Sequence, residues 1–269
     1  MITKLNKKLI TQYLCIDTNI LIQCCFLEID GDDLKVLKNL LKLLNENKVK
    51  LLLPEIIKLE FFKRFKSKKN ILIGEISRHK ENIGNSGGLN QKPKEELKQM
   101  FDKYIATKEE LSEKAKKIIK LIFNHKNTIQ KGLEITPEIF IETYKSFFTQ
   151  EKPFNKDTRN EKERPDIIQA DCIVIESLKK FLSSQGTYKL YLCSQNTTDF
   201  ANDPLKSPMD VHEDIKNKFH HIELSNNLGI LLKDQFKISV SKKVIRKLST
   251  GKTDKDDEIV GEPNQQKTI

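Results

Sequence analysis

The sequence predicts an α/β fold: parallel strands covered on both faces, with a long helical segment inserted into the chain. Three observations carry this. Short, continuous apolar runs at Tyr13–Asp17 (YLCID), Lys48–Pro54 (KVKLLLP) and Tyr188–Ser194 (YKLYLCS) have the length and unbroken hydrophobicity of buried parallel strands. Between the first two, Leu34, Leu37, Leu41 and Leu44 fall at helical spacing, which makes strand, helix and strand a right-handed βαβ unit. From about Ser67 to Gln150 the chain turns Lys- and Glu-rich, breaks at NIGNSGGLNQKP, and resumes as amphipathic helix in KEELKQMFDKYIATKEELSEKAKKIIKLIF.

The remaining elements follow in order. Pro54 suits the first turn of a helix, here running through EIIKLEFFKRFKSKK. Thr136 and Pro137 open a shorter helix, TPEIFIETYKSFF. A charged loop, TQEKPFNKDTRNEKERP, leads into the helix DIIQADCIVIESLKKFL, with Pro165 and Asp166 at its start. Beyond the third strand a helix is expected from Ser207 and Pro208, with Asp210 near its exposed amides. A weaker strand, HHIEL, spans His220–Leu224. The chain is thus expected to divide into a discontinuous core at 1–66 and 150–224, a helical insertion at 67–149, a C-terminal extension at 225–250 and a polar, disordered tail at 251–269.

A formal net charge of +10 favours an acidic partner, of which nucleic acid is the commonest; a Lys-rich composition alone also accounts for it. The five cysteines lie in apolar surroundings without C-x-x-C spacing and read as buried hydrophobes of a reducing compartment, excluding a zinc site or disulfide framework. No uncharged run approaches the ~20 residues that span a bilayer. A non-membrane, cytoplasmic protein is expected. No nucleotide-binding glycine motif is present, and five scattered histidines make neither a triad nor a metal site.

Carboxylates are the informative residues. Asp17 ends the first strand, at the sheet edge where α/β proteins open their crevices; it suits equally the N-cap of a helix starting at Thr18. Glu60 shares a helix face with Ile56 and Ile57, and a local ion pair with Arg64 at i+4 competes with a role in a site. Asp171 is the sharpest: it falls on the apolar stripe of Ile168, Val174, Ile175 and Leu178, where patterning asks for Leu or Ile. Asp199 follows the third strand in the polar cluster Ser194, Asn196, Thr197 and Thr198, as a site residue or an ordinary turn former. Glu176 is off the stripe, solvated or at the rim of the site. Four carboxylates in one pocket repel one another, so their convergence makes sense chiefly around a hard divalent cation, Mg2+ or Mn2+.

At this point the pattern resembles the PIN-domain nucleases, in their large form with a helical insertion. The resemblance lies in CIDTNIL, LLLPEIIKLEF, ADCIVIESL and LCSQNTTDF, and covers roughly residues 13–66 and 150–224. It implies a central parallel sheet flanked by helices in three α/β/α layers, and metal-dependent endonucleolytic cleavage of RNA. It makes Asp17, Glu60, Asp171 and Asp199 the catalytic metal-site residues, with Thr18 and Asn196 supporting them; Asp166 stands beside Asp171 as a candidate for the third position. Lys63, Arg64, Lys66, Arg159 and Arg164 are the basic residues placed to hold an RNA backbone beside the acids. Phe61, Phe62 and Phe65 read as core rather than stacking platforms. RNA is favoured over DNA; RNA decay, a toxin system and antiphage defence are settings such a nuclease fits. A structure-specific DNA nuclease and an inactive RNA- or protein-binding module are the alternatives, and a homo-oligomer or a regulatory protein partner is compatible with either.

Overall fold

The apolar runs form the middle of one sheet. The computed structural model describes residues 10–26, 33–85, 90–149, 151–153, 165–203 and 209–250. Lys156, Arg159, Lys162, Arg164, Ser207, Pro208 and the tail from 251 lie outside that set.

The first run is β1 (Thr11–Ile16), followed without a loop by α1 (Thr18–Phe26). The leucine-spaced helix is α2 (Asp33–Asn45), which turns into β2 (Lys50–Leu52) through Asn47, held in the left-handed region at φ 54° that Asn tolerates best after Gly. Two long helices come next, α3 (Glu55–Asn85) and α4 (Gln91–Phe123), then β3 (Thr128–Ile129), α5 (Pro137–Thr149) and α6 (Pro165–Leu182). β4 (Tyr188–Cys193) leads to the single turn α7 (Thr197–Phe200) and a small antiparallel ribbon, β5 (Ala201–Asp203) with β6 (Asp210–Val211). The described chain finishes with α8 (Glu213–Lys216), β7 (Ile222–Ser225), α9 (Leu228–Phe236) and α10 (Lys242–Thr250).

The main sheet has strand order β3-β2-β1-β4-β7, and every pairing in it is parallel. Helices flank it in the three-layer α/β/α manner, as expected. β1 and β4 are hydrogen-bonded neighbours in register from Thr11 opposite Tyr188 to Ile16 opposite Cys193. The chain first winds outward from β1 to β2 and β3, then returns to the other side of β1. That reversal makes the carboxyl ends of β1 and β4 a topological switch point, where diverging connections leave a crevice.

Burial follows the alternation-free strands: Leu14, Cys15, Ile16, Leu190, Leu192 and Cys193 are all at most 2% exposed. Phe61, Phe65 and Phe123 stack edge-on or tilted in the core, and truncating such a ring costs about 3–5 kcal/mol. Phe62 packs against the same cluster, so these rings are not available to bases. All five cysteines are buried and free; desolvation pushes the Cys172 thiol up to about 12.

The segment 67–149 is not uniform. Its first part, the distal halves of α3 and α4, forms a helical hairpin tied by Lys69 to Glu109 and Glu113. From Ala115 onward α4 enters the core through Ile119, Ile122 and Phe123, and β3 extends the sheet. Residues 225–250 also reach the core, through Leu228, Leu231, Leu232, Val244 and Leu248. The helix expected near Asp210 is corrected to strand β6: Asp210 and Val211 pair with β5, and Met209 bridges to Leu224, which holds this backbone extended. Helix begins only at Glu213, where the His212 ring accepts from the Asp214 amide. Among the described residues no helix is long and apolar enough to cross a membrane.

Candidate active site at the sheet switch point

Asp17 takes both of its possible parts. Its carbonyl accepts the first bond of α1 from the Leu21 amide, and its own amide continues the β1 ladder to the Cys193 carbonyl at 2.8 Å. The side chain, 9% exposed, points to the switch point, where the Ser194 hydroxyl donates to Oδ2 at 2.8 Å and Asn19 Nδ2 lies 3.5 Å away. The β1–β4 register is what sets Ser194 beside Asp17, across 177 residues of sequence.

Glu60 reaches the same edge from α3, whose Ile57, Phe61 and Phe65 are buried. Thr18 donates to its Oε2 at 3.1 Å, and Arg64 Nη2 pairs with its Oε1 at 3.1 Å while Nη1 donates to Asn19 Oδ1 at 2.7 Å. The local ion pair is therefore real and sits inside the cluster.

Asp171 comes from α6, which packs on α3. Val174, Ile175 and Leu178 of its stripe are core residues, so the carboxylate is drawn in with them. Asn196 Nδ2 donates to its Oδ2 at 2.5 Å. Asn196 stands at the N-cap of α7 but makes no side-chain cap bond; its amide is given to Asp171 instead, while its backbone amide donates to Ser194 Oγ. Asp199 follows in α7, anchored by the buried Phe200. Its Oδ1 is buried without a hydrogen-bond partner, with Lys152 Nζ 4.0 Å away.

Electrostatics confirm that the acids are neighbours. Burial raises the Asp17 carboxyl above the ordinary range, and Glu60 adds to the rise against the opposing Ser194 bond. Asp171 is pushed up furthest, by burial first and then by Asp17, with Asp199 and Glu60 adding to it and only the Asn196 bond opposing. Asp199 is raised by burial, offset in part by Asn196 and Lys152. Arg64 and Lys152 are the cations that the described residues bring to the cluster. Four carboxyl groups thus face two cations among the described residues.

Among the described residues no three His, Cys, Asp or Glu side chains close on a common point tightly enough to hold an ion in this arrangement. The donor set is nonetheless all carboxylate oxygen, the chemistry Mg2+ and Mn2+ take, and the orphaned Asp199 oxygen leaves a ligand position unspent.

Sequence reasoning placed Ser194 only in the polar cluster past the third strand and gave Asn19 no role, yet Ser194 holds both Asp17 and Asn196, and Asn19 links Arg64 to Asp17. A polar residue directly past a buried strand end was the available signal for Ser194. Glu176 is corrected: it is neither solvated nor at the rim, but 3% exposed and paired with Lys218 at 2.6 Å. Asp166 lies in the first turn of α6, its side chain outside the described set. Lys63 and Lys66 are exposed on α3; Arg159 and Arg164 lie outside the described residues.

A parallel five-stranded sheet between helices, with an acidic cluster at its switch point, defines a three-layer α/β/α protein. The PIN-domain family model matches residues 14–200, and the chain belongs to that family. No curated protein and no solved structure matches it.

Proposed function

We propose that the protein is a divalent-metal-dependent endoribonuclease. The observation that carries this reading is the cluster of Asp17, Glu60, Asp171 and Asp199, whose negative charge the cations among the described residues do not balance. These four carboxylates would hold Mg2+ or Mn2+. When bound, the ion activates water and stabilises charge developing on a phosphate. The chain's residues do the positioning: Ser194 fixes Asp17, Asn196 fixes Asp171, and Thr18 with Arg64 fixes Glu60. Lys63 and Lys66, exposed on the Glu60 helix, and Arg159 and Arg164, in the segment before Asp171, supply sequence-independent contacts to an RNA backbone.

The test is cleavage of a labelled single-stranded RNA with Mn2+ or Mg2+, beside EDTA, a matched DNA strand and the Asp17→Asn protein. Metal-dependent cutting of RNA that falls to background in the variant is the expected result. Preferential cutting of DNA would move the substrate. Failure of the folded wild type on both strands across several sequences would favour a binding module.

A further inference from the structure

Lys152 reaches the acidic cluster from a segment that supplies none of its acids. It belongs to the short stretch 151–153 after α5, which is fastened at each residue. The Glu151 amide donates to the Ser146 carbonyl at 3.0 Å, and its carboxylate lies 3.4 Å from Lys218, the partner of the buried Glu176. The Lys152 amide donates to Asp214 Oδ2 at 3.1 Å, and Pro153 is buried. A lysine that leaves a pinned backbone loses less freedom on meeting a ligand than one on an open helix face, where Lys63 and Lys66 stand.

The ammonium ends at the acids without being consumed by them. It donates to the Thr198 carbonyl at 3.3 Å and lies 4.0 Å from Asp199 Oδ1, beyond hydrogen-bond range of an oxygen that is buried with no partner of its own. One acceptor among the described residues satisfies one of its three N–H donors, and the side chain keeps 20% of its surface in solvent. Arg64, the other cation at the cluster, is spent differently: its guanidinium bonds both Glu60 and Asn19. Lys218 shows what a structural pair looks like on the same framework, 2.6 Å from Glu176 with both groups nearly closed to water. Lys152 matches neither.

Its charge has two consequences of opposite sign. A fixed positive charge beside Asp199 opposes any second cation that takes that carboxylate as a ligand, since like charges repel strongly in a partly desolvated site. The same charge attracts the phosphate of an RNA strand laid along the cluster, and the remaining donors offer it charge-assisted hydrogen bonds. A lysine serving only to balance Asp199 would have the first consequence and not the second.

We propose that Lys152 is a phosphate-binding residue of the site: it takes a charged oxygen of the RNA backbone next to Asp199, and its presence weakens the hold of the RNA-free site on a divalent ion. This rests on the nuclease reading of the cluster and adds to it a substrate contact outside the acids. Wild type, Lys152→Met and Lys152→Arg, each as the full chain, are compared in two titrations. Fluorescence anisotropy of a labelled single-stranded RNA in EDTA, at several salt concentrations, reads the phosphate contact with no cleavage. Isothermal titration calorimetry with Mn2+ and no RNA reads the metal. Lys152→Met should bind RNA about tenfold more weakly. Its plot of log affinity against log salt should flatten by about 0.7, the share of one phosphate contact on a single strand. The same variant should bind Mn2+ several-fold more tightly, and Lys152→Arg should stay near wild type in both. A folding defect weakens both ligands and cannot give this pair of changes. Unchanged RNA affinity and slope in Lys152→Met overturns the proposal, and so does a joint loss of RNA and Mn2+ binding, which marks a structural lysine. A wild type that takes Mn2+ but binds no RNA overturns it too. A wild type that takes no Mn2+ sinks the nuclease reading instead, and the salt slope still decides whether Lys152 holds a phosphate.

Discussion

Two carboxylates five residues apart on α6 are both withdrawn from water, and the chain treats them in opposite ways. Glu176 meets Lys218 Nζ at 2.6 Å, with Lys179 3.4 Å away, and Lys218 in turn reaches Glu151 and Ser146. Burial works to lower the Lys218 pKa, but the bond to Glu176 and the surrounding negative charge outweigh it and the ammonium is held above its usual value. Asp171 has an amide donor and three acidic neighbours, and its pKa moves up. Among the described residues the same helix therefore carries one carboxyl with a cation against it and one without. A compensated buried ion is architecture; an uncompensated one is where a counter-charge would have the larger effect.

The comparison breaks most sharply at Lys218. Lys218→Met leaves Glu176 buried without its main partner and should cost roughly 3–5 kcal/mol in urea denaturation, and adding Glu176→Leu should recover most of that loss. If Lys218→Met is neutral, the pair is not the structural half of the contrast.

Asp171→Asn should act in the other direction. A carboxyl raised in the folded state holds its proton where the unfolded chain has released it, so its penalty is absent below the ordinary carboxylate range. The penalty grows as pH climbs from that range to the raised value and levels off above it. In EDTA the variant should gain stability relative to wild type as pH rises toward neutrality. Excess Mg2+ or Mn2+ should raise the melting temperature of wild type and not of the variant. A stability difference that is flat with pH would remove the electrostatic account of the cluster.

Ser194→Ala gives the smallest effect. It deletes one buried bond to Asp17, worth about 1 kcal/mol in chemical denaturation. Because Ser194 also receives the Asn196 amide, cleavage should fall further than stability alone explains.

What could be read from the chain was what local pattern encodes. Unbroken apolar runs gave β1, β2 and β4, and the misfit of Asp171 on its stripe pointed inward because the helix period fixes direction. β3 escaped because a two-residue strand, Thr128–Ile129, has no period to detect. The core role of Ala115, Ile119 and Phe123 was hidden because a charged hairpin helix and a packed helix share one continuous amphipathic pattern. Glu176 was misjudged because its partner arrives from 42 residues away, in a turn that patterning on α6 does not register. The acids could be named individually; the bonds from Ser194, Asn19 and Asn196 that aim them depend on strand register and on tertiary approach, which spacing does not disclose.

The adjacency of β1 and β4 also has a meaning in time. Ser194 leaves the ribosome 177 residues after Asp17. At synthesis rates of 5–20 residues per second that is a lag of roughly 10–35 s. Until it ends, Asp17 and Glu60 stand without the turn that bears Asn196 and Asp199. A chain that has not yet reached Ser194 therefore holds Asp17 without the bond that aims it.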